Sequence, residues 1–146
     1  MDELSDAHHD AWRLLLTTHA KLLDRVNKEV VAAGMIALEW YDVLLTLDRA
    51  PDRRLRMSEL AEAVLFSRSG LTRLVDRIES AGFLRREAVP TDRRGSYAAL
   101  TEEGAAELDR AWPEYRKAIA RNFGRGLSEA EARTLAALLL KAQEEA

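Results

Sequence analysis

The residues with chemistry to offer lie between Leu55 and Thr101, and most of them are arginines. Arg68, Ser69, Thr72 and Arg73 fall within two turns of one another at helical spacing, with Arg77 one turn further on. Asp92, Arg93 and Arg94 lie among the turn signals Pro90-Thr91-Asp92 and Gly95. A guanidinium fork matches guanine O6 and N7 or a phosphate, and Ser and Thr hydroxyls are less discriminating partners. Backbone N–H groups near Ser67 to Gly70, at the start of such a helix, would seat a phosphate. For any one of these residues the plain alternative is a solvated surface network, such as Arg73 with Asp76 and Arg77. The group is harder to dismiss, because positive charge is concentrated here. Residues 53–100 hold ten Lys+Arg against six Asp+Glu, whereas the rest of the chain holds twelve against nineteen. Phosphate neutralisation needs a local basic face, not a basic protein.

Other chemistries find little support. No Gly-rich loop follows a strand, and no nucleophile is paired with a base. Glu102-Glu103 and Glu144-Glu145 read as solvated helix ends, so an enzyme is not expected. His8 and His9 diverge by about 100° on a helix, His19 restores no common face, and cysteine is absent. No metal site is expected, and disulfides and thiol sensing within the chain are excluded.

The elements that must carry the arginines follow from hydrophobic spacing. A short helix is predicted over Ser58 to Val64, capped by Ser58, with Leu60, Ala61 and Val64 on one face. A second runs from near Ser67 to Ser80 behind the stripe Leu71, Leu74, Val75 and Ile78. That stripe leaves Ser69, Thr72, Arg73 and Asp76 outward. Gly82 suits the left-handed residue that ends it. Phe83-Leu84 opens a strand that turns basic at Arg85 and Arg86, and Ser96 to Leu100 returns as its partner. Helix, helix and a two-stranded ribbon with a basic tip is the order of a winged helix-turn-helix. Its second helix would enter the major groove, and its ribbon tip would lie along the backbone or in the minor groove of double-stranded DNA.

The expected fold is therefore mainly α with a small β-wing, one domain over residues 1–146. Before the wing come helices at about Ser5 to Val31 and Ala37 to Asp48. The inner face of the second is Trp40, Val43, Leu44 and Leu47. After it, Thr101 caps a helix containing Leu108, Ala111, Trp112 and Tyr115, which Pro113 is expected to kink. Ser128 and Glu131 form a capping box for a last helix bearing Leu135, Leu138, Leu139 and Ala142. The terminal helices, within 1–50 and 101–146, carry more apolar surface than the winged segment 53–100 needs. A homodimer explains them, since two heads about 34 Å apart read two half-sites. No apolar run approaches membrane-spanning length and no signal-peptide core is present, so a cytoplasmic protein is expected.

The run SELAEAVLFSRSGLTRLVDRIESAGFLRR, followed by DRRGSYAALTEEG, resembles the MarR family of bacterial transcriptional regulators. The resemblance extends over nearly the whole chain and is most specific from Ser58 to Gly104. Leu65-Phe66 departs from it, standing where the family often has a small or turn-forming residue. The resemblance implies a homodimer on a palindromic operator, with DNA affinity that often responds to a small ligand. By the family pattern Arg94 would insert into the minor groove and Asp92 would steady it. It also implies a pocket where the first helices meet the winged head. Trp12, Asp42, Arg73 and Arg85 would be the set for a small aromatic or anionic effector. Against this, Trp12 and Trp40 are read as core and Asp42 as a helix-surface or salt-bridge carboxylate. The competing function is a winged-helix protein-interaction module without DNA binding. No cofactor is expected, and the sign of regulation is open.

Overall fold

In the computed structural model, which describes residues 3–66 and 69–144, the predicted apolar stripes become helices. In chain order these are α1 (Asp6–Ala32), α2 (Leu38–Asp48), a 3-10 turn (Pro51–Arg53), β1 (Arg54–Arg56), α3 (Met57–Ala63) and α4 (Leu71–Ser80). They are followed by β2 (Leu84–Val89), β3 (Asp92–Leu100), α5 (Glu102–Asn122), a second 3-10 turn (Gly124–Gly126) and α6 (Glu129–Glu144). The chain divides into two compact units, residues 30–114 and residues 1–29 with 115–146.

The central unit is built on one apolar cluster. Val43, Leu44 and Leu47 from α2 meet Leu60 from α3 and Leu71, Leu74, Val75 and Ile78 from α4. Leu84, Ala98, Leu100 and Leu108 close the cluster. Full burial of each such aliphatic side chain contributes roughly 1.5–3 kcal/mol, which is what holds α4 against the body. The inner face expected for α2 is thus the observed one, with Trp40 packing at its edge.

The sheet is antiparallel in the order β1-β3-β2. Arg54 to Arg56 pair with Ala99 to Tyr97, and Leu84 to Ala88 pair with Leu100 to Ser96. Strand β1 has no counterpart in the sequence reading, because three residues are too short to show alternation. β3 also begins at Asp92 instead of Ser96, because Val89 pairs with Asp92 across a register shift.

Helix α3 starts one residue before expectation. Its capping carboxylate is Glu59, which accepts the Arg56 N–H at 3.0 Å, so Ser58 does not cap it. Helix α4 begins at Leu71, four residues later than predicted, after Gly70 at φ 76°. At its other end Gly82 takes φ 86°, as its place after the helix required. The Gly82 and Phe83 N–H groups close onto Glu79 and Ile78 carbonyls at 2.9 and 3.2 Å. Thr101 caps α5 as predicted: its hydroxyl accepts the Gly104 N–H at 3.0 Å and donates to the Gly82 carbonyl at 2.6 Å. Helix α5 continues through Pro113 as one element.

In the unit of terminal segments, Val26, Tyr115 and Ala118 are buried. Glu29 accepts from Arg121 at 2.7 Å and from Asn122 at 2.9 Å, and these two donors hold its carboxyl below the usual glutamate range. Ser128 and Glu131 form the expected reciprocal cap at 3.0 and 3.1 Å. Several apolar residues of the terminal helices stay uncovered: Trp12, Leu14, Leu138 and Leu140 are each about half exposed or more. Among the described residues no helix is long and apolar enough to cross a membrane.

Candidate nucleic-acid interface

With Leu71, Leu74, Val75 and Ile78 turned inward, α4 presents Thr72, Arg73, Asp76 and Arg77 to solvent. The 3.6-residue period dictates this division, and it places Thr72 and Arg73 in the first turn. Ser69 is exposed in the turn before the helix. Arg68 lies outside the described residues.

At the wing tip Asp92, Arg93 and Arg94 are all exposed. The Asp92 carboxylate accepts the backbone N–H of Arg94 at 3.0 Å, so it steadies this turn through the main chain. Gly95 packs closely beside it: a Cβ there would lie 3.0 Å from the same carboxylate and 3.2 Å from the Val89 side chain, so these would have to shift slightly.

Arg86 ties wing to helix. It shares a strand face with buried Leu84, and its guanidinium reaches Asp76 at 2.7 Å and Glu79 at 3.0 Å. Its own N–H bonds the second Glu79 oxygen at 2.7 Å. This brace was missed in the sequence. The available signal was position: two residues after Leu84 in a strand, Arg86 must face inward with it.

The opposite sheet face carries Arg54, Arg56, Arg85, Glu87 and Tyr97. Glu87 accepts from Arg85 at 2.9 Å and from Arg54 at 3.3 Å, and Arg85 is the main reason its carboxyl titrates below the usual range. The Arg54 guanidinium stacks 4.6 Å from the centre of the Tyr97 ring, with that of Arg56 at 6.0 Å.

Asp42 is the one buried charged residue among those described. It accepts the backbone N–H groups of Leu65 at 2.8 Å and Phe66 at 3.3 Å, tying α2 to the turn that leads into α4. Burial pushes its carboxyl above the ordinary aspartate range, against the lowering effect of those two bonds. Leu65 points out at 84% exposure while Phe66 turns inward, which is how the turn accommodates two large residues. A cavity of about 160 Å³ opens beside Asp42, between α2 and α4, with Glu39, Phe66, Arg73 and Arg77 in its wall. Of the four residues expected to hold an effector, Asp42 and Arg73 meet there. Arg85 is on the far sheet face with Glu87 and does not line the cavity. Trp12 belongs to the other unit and is 55% exposed, so it is not core.

A three-stranded wing braced to an arginine-bearing helix defines a winged helix-turn-helix, and comparison with known proteins bears this out. The MarR family model matches residues 34–95. The uncharacterized HTH-type transcriptional regulator YkoM of Bacillus subtilis (strain 168) is 38% identical over 109 residues, 75% of this chain and 68% of YkoM. The transcriptional repressor MprA of Escherichia coli (strain K12) is 34% identical over 69% of this chain and 57% of its own length. The structure of Sco3205, a MarR family transcriptional regulator from Streptomyces coelicolor in complex with DNA, superposes with a TM-score of 0.83 at 30% identity. That match covers 99% of this chain and 91% of Sco3205. The chain belongs to the MarR family of transcriptional regulators, a family of regulators and not of enzymes.

Proposed function

We propose that this protein binds a palindromic operator in double-stranded DNA as a homodimer and represses transcription from it in the cytoplasm. The observation that carries the reading is the joining of two exposed arginine surfaces by Arg86. Thr72, Arg73 and Arg77 on α4 are held by that brace to the ribbon that bears Arg93 and Arg94. In this reading Arg73, with Ser69 and Thr72, meets base edges from the major groove. Arg77 and Arg93 neutralise phosphates, Arg94 enters the minor groove, and Asp92 keeps the wing turn closed. Arg68 is assigned to the same surface from the sequence alone. The single domain of residues 1–146 dimerises through its terminal helices, whose uncovered leucines suit a second copy. Sco3205 complexed with DNA and the repressor MprA are the relatives that support binding and sign.

The test is operator binding by the purified chain to its own upstream region at moderate salt. Arg94→Ala should lower affinity by at least about thirtyfold, because each dimer loses two specific arginine contacts of about 1–3 kcal/mol each, with the melting temperature unchanged. If the head is instead a protein-interaction module, Arg94→Ala leaves DNA binding untouched.

The cavity beside Asp42 supports an effector of one small ring, aromatic or anionic, since about 150 Å³ suffices for benzene. Arg73 would attract its charge, and Asp42 would be the polar group it competes with. Such a ligand weakens DNA binding only by its preference for the DNA-incompetent arrangement of α4.

A further inference from the structure

We propose that the sheet face turned away from α4 is a second phosphate-binding surface, which grips the duplex just outside the half-site read by the wing. Arg54, Arg56 and Arg85 stand exposed on this face, with the half-buried Glu87 as its acid. Their arrangement is built: the register sets Arg54 and Arg85 on either side of Ala99, and Arg56 and Glu87 on either side of Tyr97. The Tyr97 ring lies 4.6 Å from the Arg54 guanidinium and Glu87 bonds both Arg54 and Arg85, so these long side chains are already ordered. Ordered forks lose less rotamer freedom on meeting a phosphate, and each keeps N–H groups that Glu87 does not occupy.

Duplex DNA is favoured over an acidic protein because of where the patch lies. Tyr97 and Ala99, which these arginines flank, are three and five residues from Arg94 along β3, about 10 and 17 Å at ~3.3 Å per residue. At physiological salt the wing tip therefore lies about one Debye length from Arg56 and about two from Arg54 and Arg85, so a backbone it engages meets them as it runs on past the half-site. With α4 facing the half-site, the opposite face looks toward the flanking DNA.

The proposal rests on the operator-binding reading, and the experiment separates the two. Binding of the full chain is followed by fluorescence anisotropy on a long operator duplex and on one trimmed to the half-sites, across a salt series. The variants are Arg54→Gln with Arg56→Gln, and the same pair changed to Lys. On the long duplex the Gln pair, which removes four arginines from each dimer, should make the slope of log affinity against log salt shallower by about four, near 0.9 for each lost phosphate. The wild-type advantage should therefore grow about a hundredfold between roughly 200 and 50 mM salt, with base preference unchanged. The Lys pair should restore most of the slope, and on the trimmed duplex all three proteins should bind alike. A Gln pair that melts like wild type yet keeps the full slope on long DNA overturns the proposal. An equal loss on both duplexes also overturns it, by moving the contact inside the half-site. No wild-type binding to either duplex would sink the operator reading itself.

Discussion

Asp42 has a structural role that its place on α2 did not announce. Its carboxylate replaces the hydrogen bonds that the Leu65 and Phe66 N–H groups would lack in a tight turn. Asp42→Ala leaves two backbone donors unpaired and should cost about 1–3 kcal/mol, read by urea unfolding. Asp42→Asn keeps an acceptor oxygen without the charge, and its effect should depend on pH. The folded-state value is raised above 3.8, so Asp42 contributes fully below pH 3.8, and that contribution is lost as pH rises through the raised value. Asn stays neutral throughout. The melting temperature of Asp42→Asn should therefore climb relative to wild type from about pH 4 upward and then level off; a constant difference over that range would show that Asp42 is not desolvated. At this scale the exposed arginines of α4 and the wing tip were legible in the sequence, because periodicity and turn residues decide what faces out. Asp42 and Arg86 were not, since their partners lie on other elements, 23 residues away for Leu65 and 7 for Glu79.

Among the elements, the junction of α4, β2 and α5 is the most constrained. A Cβ on Gly104 would meet the Phe83 carbonyl oxygen at 2.0 Å and its carbon at 2.9 Å, both backbone atoms that cannot swing aside. Gly104→Ala should thus destabilise by more than about 2 kcal/mol or force α5 away from Phe83, in line with overpacking elsewhere. Thermal unfolding alongside far-ultraviolet dichroism checks this, and an unchanged melting temperature would contradict the close approach. The helices themselves were readable to within a residue or two, apart from the start of α4. There the predicted start near Ser67 lay upstream of Gly70, whose left-handed backbone marks the entry to the helix instead. β1 escaped notice because its identity depends on pairing with β3, 41 to 45 residues later.

For the whole molecule, the uncovered apolar residues of α1 and α6 are the feature that asks for a partner. Trp12, Leu14, Leu138 and Leu140 are 55%, 66%, 59% and 57% exposed. Scattered exposed leucines are ordinary, but this many on the terminal helices of one unit are not. Replacing Leu138 and Leu140 with Glu should give a monomer by sedimentation and remove operator affinity, because two half-sites are then read singly. Wild-type melting temperature should rise with protein concentration, as it does whenever association stabilises the folded state; an invariant value would count against the dimer.

Composition, hydrophobic period and turn chemistry, all local properties, determined that this chain is helical with a basic wing, which residues of α4 are exposed, where α4 ends and where α5 is capped. Only tertiary structure decided that Arg86 braces the wing, that Asp42 holds the turn, and that Arg85 stands with Arg54 around Glu87, away from Arg73. The reason is physical: a period says which way a side chain points, but its partner is set by strand register and helix packing, which bring together residues distant in the chain.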